Sequence, residues 1–155
     1  MIRAVIFDLD NTLVAYGCSV PDPAVVAHLR NLAQAGISTV ILSNATSRRS
    51  REVAAVLGVA HIGNAHKPAL SGFRRALAAL RSEPARTVVV GDQVFRDILG
   101  ARRAGCQAIL VRPISQQDFP GTKLLRLPEA LLTAHLKRHG KWPGPRLPKL
   151  PTVTC

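Results

Sequence analysis

The stretch TVVVGDQVFRDILGARRAGCQAILV, residues 87–111, contains a complete strand, helix and strand pattern. Residues 87–90 and 108–111 are short apolar runs, and residues 94–104 between them fit one helix that ends before Gly105. Glycine is common just after the last residue of a helix. Because two parallel strands need a long and usually helical connection, this stretch predicts a pair of parallel strands.

The same alternation extends through the preceding part of the chain. Further strand-like runs lie at residues 3–7, 37–42 and 59–62, and helical patterns lie at residues 23–35, 47–57 and 67–81. Strands that alternate with helices of this length predict an α/β fold with helices on both faces of a parallel sheet. We therefore expect a doubly wound, Rossmann-like sheet of five parallel strands in a three-layer arrangement.

The C-terminal part of the chain differs in composition. Residues 129–138 fit one more amphipathic helix, whereas residues 141–155 contain four prolines and three cations without regular periodicity. Pro-rich segments of this kind do not form a packed core. We expect one domain, residues 1–140, followed by a basic and mobile tail, residues 141–155.

The overall composition is that of a globular protein. With 155 residues, 47% of them hydrophobic and 19% charged, the chain can bury one core, which excludes a disordered protein. No apolar run approaches the ~18 residues of a membrane-spanning helix, and a strand-like run follows Met1 where a signal peptide would stand. We therefore expect a cytoplasmic protein. Its three cysteines lack the paired spacing of a zinc site or a disulfide framework, so we expect reduced thiols.

The chain is strongly basic, with 21 Lys and Arg against nine Asp and Glu, a formal net charge of +12. Such a surface attracts phosphate groups, including those of nucleic acids and of anionic membranes. An Arg- and Ala-rich genome would produce the same excess of positive charge. Charge alone therefore does not identify a partner.

Four of the nine acidic residues lie in two short motifs, Asp8 and Asp10 in FDLDNTL and Asp92 and Asp97 in GDQVFRD. Both motifs follow predicted strands, and ligands of open α/β sheets bind at that edge. Carboxylates brought together there repel one another unless a cation binds them, and such oxygen ligands suit Mg²⁺. The alternative is structural: Asp10 would form a turn with the next residue, and Asp92 would cap the following helix.

Two further residues are expected at the same edge. Ser43, in VILSNATS, offers a hydroxyl beside the backbone amides of Asn44 and Ala45, a combination that suits an anion. Lys67, in HKPAL, carries an ammonium group able to neutralise a bound phosphoryl group. The alternatives are that Ser43 only starts a helix and that Lys67 is exposed to solvent.

Taken in order as DxDNT, Ser, Lys and GDxxxxD, these motifs resemble the four motifs of the haloacid dehalogenase superfamily. Within it the chain is similar to the capless YqeG-like phosphatases of subfamily IIIA, which are related to the phosphatidylglycerophosphate phosphatases. Residues 88–114 carry most of this resemblance, which extends over residues 2–135. It implies a magnesium-dependent phosphomonoester hydrolase that works through an aspartyl-phosphate intermediate.

The resemblance also implies a role for each motif residue. Asp8 would be the nucleophile, and Asp10 would protonate the leaving alcohol and then activate water. Mg²⁺ would be held by the side chains of Asp8, Asp92 and Asp97 and by the backbone carbonyl of Asp10. The transferring oxygens would be held by Ser43, Asn44 and Lys67.

The segments where many relatives carry a cap domain, residues 13–21 and 62–67, are only of loop length here. We therefore expect an open crevice, covered at most by a flap, residues 14–20, or by a neighbouring subunit of a homo-oligomer. An open site suits a large substrate. Candidates are a phospholipid head group such as that of phosphatidylglycerophosphate, met by peripheral association with an anionic membrane, and a macromolecular phosphate end.

Three arginines of the second predicted helix, Arg48, Arg49 and Arg51, are candidates for contacting such an anion; the alternative is a solvated helix face. A second hypothesis for function is a protein that binds nucleic acid or processes its ends. Against it, the six Phe, Tyr and Trp residues offer no visible stacking platform. A non-catalytic scaffold is disfavoured because every motif position is present.

Overall fold

The computed structural model describes residues 1–115 and Arg138, so the Pro-rich tail and the rest of the predicted last helix lie outside the described residues. The strands are β1 (Ala4–Phe7), β2 (Ser38–Leu42), β3 (Ala60–Ile62), β4 (Thr87–Gly91) and β5 (Gln107–Leu110). They form one parallel sheet in the order β3-β2-β1-β4-β5. The predicted α/β fold with five parallel strands is confirmed.

The connecting helices are α1 (Pro23–Gln34), α2 (Ser47–Leu57), α3 (Leu70–Leu80) and α4 (Leu99–Arg103). Helix α1 illustrates how the sequence sets their limits. At its start, the Asp22 side chain accepts a hydrogen bond from the Ala24 N–H over 2.7 Å, and Pro23 takes the first helical position. At its end, Gly36 adopts a φ of 74°, which other residues adopt only with strain.

Both faces of the sheet are covered by helices. Val5 and Phe7 of β1 belong to one core cluster together with residues of α1 and α2, whereas Ile6 belongs to the other, with residues of α3 and α4. Alternate side chains of a strand point to opposite faces, so β1 is buried on both sides. Strand β1 therefore lies in the interior of the molecule, between the two layers of helices.

The winding direction of the chain reverses at β1. From β1 the chain runs through β2 to β3, and it then crosses back to β4 on the other side of β1. At such a switch point the loops after the two central strands separate and leave a crevice. The two aspartate motifs follow these two strands and therefore meet there.

Two helix boundaries differ from the expectation. The helix predicted to start at Lys67 starts at Leu70. A residue that precedes proline is disfavoured in helical backbone, and the N–H and C=O of Lys67 are both bonded to a side chain outside the helix. The helix predicted over residues 94–104 begins instead with a π-helical turn, Val94–Ile98, in which the carbonyl of Gln93 accepts two N–H groups.

Three further expectations concern segments outside the sheet. Residues 8–22, between β1 and α1, and residues 63–69, between β3 and α3, contain no inserted domain, as predicted. Among the described residues, no helix is long and apolar enough to cross a membrane. Cys106 is a buried free thiol, in agreement with the expectation for that residue.

Candidate active site

The candidate site lies at the carboxyl ends of β1 and β4. Asp8 directly follows β1, and its N–H donates to the carbonyl of Val90 on β4 over 2.8 Å. Asp92 directly follows β4, and Asp97 returns to the same place from the π-helical turn. Carboxylate oxygens of Asp8, Asp92 and Asp97 lie within 4.8 Å of one another. The structure therefore brings these three predicted residues together.

A buried ion cluster links two of these carboxylates to Lys67. The Lys67 ammonium lies 2.5 Å from Asp8 Oδ1 and 2.5 Å from Asp97 Oδ1. The side chains of Lys67, Asp8 and Asp97 are 3%, 8% and 1% exposed. The alternative that Lys67 is exposed to solvent is therefore wrong. We call Lys67, Asp8 and Asp97 the inner cluster.

Burial and charge act in opposite directions within the inner cluster. Burial alone would lower the pKa of Lys67, but the charges of Asp8 and Asp97 outweigh it and raise this pKa above its ordinary value. Burial is the largest influence on Asp97 and raises its pKa to about 6, although Lys67 opposes the rise and Asp8 adds to it. One ammonium group therefore does not fully compensate the buried carboxylates.

Neighbouring groups fix the carboxylates of the inner cluster. Thr12 donates from its hydroxyl to Asp8 Oδ2 over 3.2 Å, and the N–H of Gln93 donates to Asp97 Oδ2 over 3.1 Å. Gly91 leaves the space that Asp97 occupies, because a Cβ at this position would lie 2.4 Å from Asp97 Cγ. The glycine before Asp92 is thus needed for the close approach of Asp97 to the end of β4.

The backbone of Lys67 is held by the side chain of Asn44. The N–H of Lys67 donates to Asn44 Oδ1 over 2.7 Å, and Asn44 Nδ2 donates to the carbonyl of Lys67 over 3.1 Å. These two bonds satisfy backbone groups that lie outside a helix. The backbone N–H of Asn44 and the second N–H of its Nδ2 are the donors that remain for the predicted phosphoryl contact.

Ser43 follows β2 and is 1% exposed. Its Oγ accepts a hydrogen bond from the Ala45 N–H over 3.0 Å, so that amide is directed to the serine. Helix α2 begins later, at Ser47, with Thr46 in the N-cap position. The alternative that Ser43 only starts a helix is therefore wrong.

Asp10 lies in a different environment from Asp8. Its oxygens Oδ1 and Oδ2 lie 2.7 and 2.8 Å from NH1 of Arg49. The N–H of Gly17 donates to Oδ1 over 3.3 Å. The side chains of Asp10 and Arg49 are each 20% exposed. We call Asp10 and Arg49 the outer pair.

The structural alternatives for the aspartate motifs hold only in part. A turn does follow Asp10, with Asn11 at a φ of 62°. The Asn11 side-chain oxygen accepts hydrogen bonds from the N–H and the hydroxyl of Ser115. The segment that follows the edge strand β5 therefore holds this turn in place. At the other motif, Gln93 and not Asp92 is the N-cap residue of the π-helical turn.

The three arginines of α2 do not form one surface. Arg49 is directed to Asp10, whereas Arg48 pairs with Glu52 on the same helix at 3.1 Å, with 90% of its side chain exposed. Arg51 is exposed. Of the three, only Arg49 lines the cavity described below, so only Arg49 is placed to meet an anion bound inside it.

Asp8 and Lys67 of the inner cluster and both residues of the outer pair line one open cavity of about 350 Å³. The predicted residues that line it are Asp8, Asp10, Ser43, Asn44 and Lys67. Tyr16, Arg49 and Arg96 also line it. The sequence named Arg49 only as one of three arginines for an anion and Tyr16 only within the flap at residues 14–20, and it gave Arg96 no role. Arg96 directly precedes Asp97 in the motif GDQVFRD, so its neighbourhood in the sequence could have placed it at the site. No pattern linked Arg49 to Asp10, 39 positions away.

The donor set of Asp8, Asp92 and Asp97 fits a divalent metal ion. All three offer oxygen ligands, are buried and lie close together, and their negative charge exceeds that of the one ammonium group among them. Hard cations such as Mg²⁺ prefer such ligands. The Asp10 side chain is bonded to Arg49, which agrees with the expectation that Asp10 would offer its carbonyl.

Comparisons with known sequences agree with this geometry. Residues 15–105 match the haloacid dehalogenase-like hydrolase family. A probable phosphatase, YqeG of Bacillus subtilis, is 34% identical over 139 residues, which cover 90% of this chain and 81% of that protein. A phosphoserine phosphatase of Thermus thermophilus is 30% identical over 130 residues, which cover 74% of this chain and 51% of that protein.

Solved structures with the same fold include an uncharacterized protein of Listeria monocytogenes. Its TM-score is 0.63 at 24% identity, over 88% of this chain and 99% of that chain. The cobalt-bound deoxy-D-mannose-octulosonate 8-phosphate phosphatase of Haemophilus influenzae has a TM-score of 0.58 at 22% identity, over 73% of this chain and 71% of that chain. These similarities concern the fold.

Proposed function

The chain belongs to the haloacid dehalogenase-like hydrolases and is a phosphatase of that family, and from this premise we propose that it hydrolyses phosphate monoesters through an aspartyl-phosphate on Asp8. The observation that carries the proposal is that Asp8, Asp10 and Lys67 line one cavity. Lys67 and Thr12 bind the two oxygens of Asp8, so the nucleophile is positioned before substrate arrives.

The proposed reaction has two balanced steps. In the first, an oxygen of Asp8 attacks phosphorus, the bond to the leaving oxygen breaks, and protonated Asp10 gives that oxygen its proton. In the second, the Asp10 carboxylate takes a proton from water, whose oxygen attacks phosphorus and displaces Asp8. Inorganic phosphate leaves, and both carboxyl groups return to their starting forms.

Lys67, Ser43 and the backbone N–H of Asn44 stabilise the negative charge of the transferring phosphoryl group. Because the Lys67 ammonium lies 2.5 Å from Asp8 Oδ1, oxygens of a phosphoryl group bonded to Asp8 come close to it. Phosphoryl transfer depends mainly on positioning and on electrostatic stabilisation. Donors held in place by the fold supply both.

The residues that would hold Mg²⁺ are Asp8, Asp92 and Asp97, with the carbonyl of Asp10. When bound, Mg²⁺ supplies positive charge that orients the phosphoryl group and stabilises the transition state. Asp92 follows β4, and Asp97 is packed against Gly91 at the end of the same strand. Their position at the end of one strand of the sheet supports this choice of ligands.

For the substrate, we propose a phosphate monoester that benefits from an open site. No inserted domain covers the cavity within residues 1–115, and the net charge of +12 favours anionic partners. The head group of phosphatidylglycerophosphate at an anionic membrane is such a substrate. We do not propose a nucleic-acid-binding function, because Tyr16 is the one aromatic residue among the described residues that line the cavity.

The proposal is tested with a panel of phosphate monoesters assayed in Mg²⁺ and in EDTA. The panel contains an aryl phosphate, phosphoserine, a 5′-phosphorylated oligonucleotide and phosphatidylglycerophosphate in vesicles. We expect phosphate release from at least the aryl ester, and only in Mg²⁺. Release at the same rate in EDTA contradicts the metal requirement, and no release from any member contradicts the function. Phosphoserine and the oligonucleotide are alkyl phosphates like the lipid, so they are its controls. Faster hydrolysis of the lipid than of these two supports a head-group substrate, and the reverse order contradicts it.

A further inference from the structure

The contacts of Arg49 extend beyond an ion pair. Its NH1 binds the carboxylate of Asp10, and its NH2 donates to the carbonyl of Cys18 over 2.7 Å. Asp10 and Cys18 lie in the loop between β1 and α1, residues 8–22, whereas Arg49 lies on α2. One guanidinium group therefore joins Asp10, the loop around it and a helix from a different part of the chain.

We infer that Arg49 is a positioning residue that holds Asp10 where it exchanges its proton with the leaving oxygen. The inference rests on the proposed function, in which Asp10 is the general acid. NH1 reaches both oxygens of Asp10, so one oxygen can keep this contact while the other serves the substrate. Arg49 itself touches no reacting atom in this assignment.

Little else in the described structure holds the Asp10 carboxylate. The N–H of Gly17 donates to it over 3.3 Å, which is longer than the usual hydrogen bond of this type. Gly17 directly precedes Cys18, whose carbonyl is bound by Arg49. Loss of Arg49 therefore weakens both restraints on Asp10, the direct one and the one that acts through the loop.

An open site has a particular need for such a residue. Within residues 1–115 no inserted domain packs on the loop that carries Asp10. Catalytic groups must be held within about half an ångström, and a misplacement of about 1 Å can lower a rate by about 10²-fold. Arg49 provides this restraint from α2, a helix packed on the sheet.

Arginine is suited to this position by its shape. Its planar group presents separate N–H donors to two acceptors, whereas the ammonium of lysine is a single point charge. The outer pair is 20% exposed on each side, so it is partly shielded from water. Arg48, on the same helix, makes an exposed pair with Glu52 instead and serves as a matched control.

The experiment measures the first chemical step in the full-length protein. Arg49→Gln, Arg49→Lys, Arg48→Gln and Asp10→Asn are compared with the unchanged protein. Alcohol release is followed in single turnovers, with enzyme in excess, for an aryl phosphate with a good leaving group and for an alkyl phosphate. Alcohol release reports the first step alone, because hydrolysis of the phospho-enzyme comes later. That later step is the same for both substrates.

Arg49→Gln is expected to slow release of the alkyl alcohol by roughly 10- to 100-fold, since an alkoxide must be protonated as it leaves. Release of the aryl alcohol is expected to slow by less than about threefold, because a good leaving group departs without a proton. The rates of Arg49→Lys are expected to lie between those of Arg49→Gln and those of the unchanged protein. Arg48→Gln is expected to match the unchanged protein on both substrates. Where Arg49→Gln does not fold, Arg49→Lys carries the same comparison.

Two outcomes overturn the inference. Equal losses on both substrates with weaker binding would assign Arg49 to the substrate anion, and unchanged rates would leave it without a role. Asp10→Asn separates this failure from failure of the proposed function. If Asp10→Asn discriminates between the leaving groups and Arg49→Gln does not, only the role of Arg49 fails. If Asp10→Asn itself does not discriminate, the proposed mechanism fails.

Discussion

The inner cluster and the outer pair consist of the same kinds of group, carboxylates and a cation, but they differ in burial. The side chains of Lys67, Asp8 and Asp97 are at most 8% exposed, whereas Asp10 and Arg49 are each 20% exposed. Lys67 is shared by two carboxylates, and Arg49 by one carboxylate and one carbonyl.

This difference separates two tasks. Charges removed from water interact strongly, and loss of one partner leaves the other uncompensated. A pair that keeps contact with water rearranges at a lower cost in free energy. Fixed charge for binding the phosphoryl group therefore suits the inner cluster, and proton transfer suits the outer pair. Four substitutions test this division, beginning with the largest expected effect.

Asp8→Asn is expected to abolish turnover of every phosphate ester while the fold remains. Asn is neutral and a very poor nucleophile, so no phospho-enzyme forms. Lys67 keeps Asp97 as its partner, which favours an intact fold. Phosphate release and trapping of the phospho-enzyme in acid measure the first effect, and circular dichroism measures the second. Undiminished turnover would remove Asp8 from its assigned role.

Lys67→Met is expected to destabilise the protein and to inactivate it. It leaves Asp8 and Asp97 buried without their cation, and breaking a buried ion pair typically costs about 3–5 kcal/mol. Urea unfolding in EDTA measures the change in free energy of unfolding. Arg49→Gln is the matched variant of the outer pair, with an expected loss of about 1 kcal/mol or less. Equal losses in the two variants would contradict the difference between the regions.

Asp10→Asn is expected to slow alkyl phosphate hydrolysis by ~10²–10⁴-fold, the usual contribution of general acid and base catalysis. The nucleophile is untouched, so some turnover is expected to remain, in contrast to Asp8→Asn. Steady-state rates and free energies of unfolding are measured together. Stability is expected to change little, because the side chain is partly solvated. A loss as complete as that of Asp8→Asn would show that the regions do not divide the chemistry.

Arg96→Gln is expected to have the smallest effect of the four. Arg96 lines the cavity, and within residues 1–115 its side chain forms no ion pair with a carboxylate. Its charge is therefore available to the substrate, and a hydrogen bond to a charged group is worth roughly tenfold in binding. We expect KM to rise by about that factor with kcat little changed. A fall in kcat at unchanged KM would contradict a binding role.

The sheet and the meeting of the two aspartate motifs could be predicted because both follow from local patterns. The stretch predicted as residues 87–90 is the strand Thr87–Gly91, and the carboxyl ends of parallel strands share one edge. Asp8 and Asp92 both follow strands, so they were expected at one edge of the sheet. The strand order that makes β1 and β4 neighbours was not predicted. The same reasoning placed Lys67 at this edge, although in a helix that starts three residues later.

The hydrogen bonds of the site could not be predicted, because they depend on side chains from distant parts of the chain. Helical spacing indicates the pairing of Arg48 with Glu52, four residues apart, but gives no reason to connect Arg49 with Asp10. The close contact of Gly91 with Asp97 likewise depends on a π-helical turn. An ordinary helix was the expectation from the periodicity.

The brace between Asn11 and Ser115 has a consequence for engineering. Within residues 1–115 the last strand ends at Leu110, but Ser115 donates from its N–H and its hydroxyl to Asn11, at 3.1 and 2.7 Å. Asn11 stands between Asp10 and Thr12, whose hydroxyl donates to Asp8, the proposed nucleophile. A version that ends at Leu110 would keep the strands of the described residues but lose both hydrogen bonds to Asn11, and with them the restraint on the turn between Asp10 and Thr12. The chain through Ser115 therefore belongs to the unit that holds this turn, and fusions or truncations should preserve it.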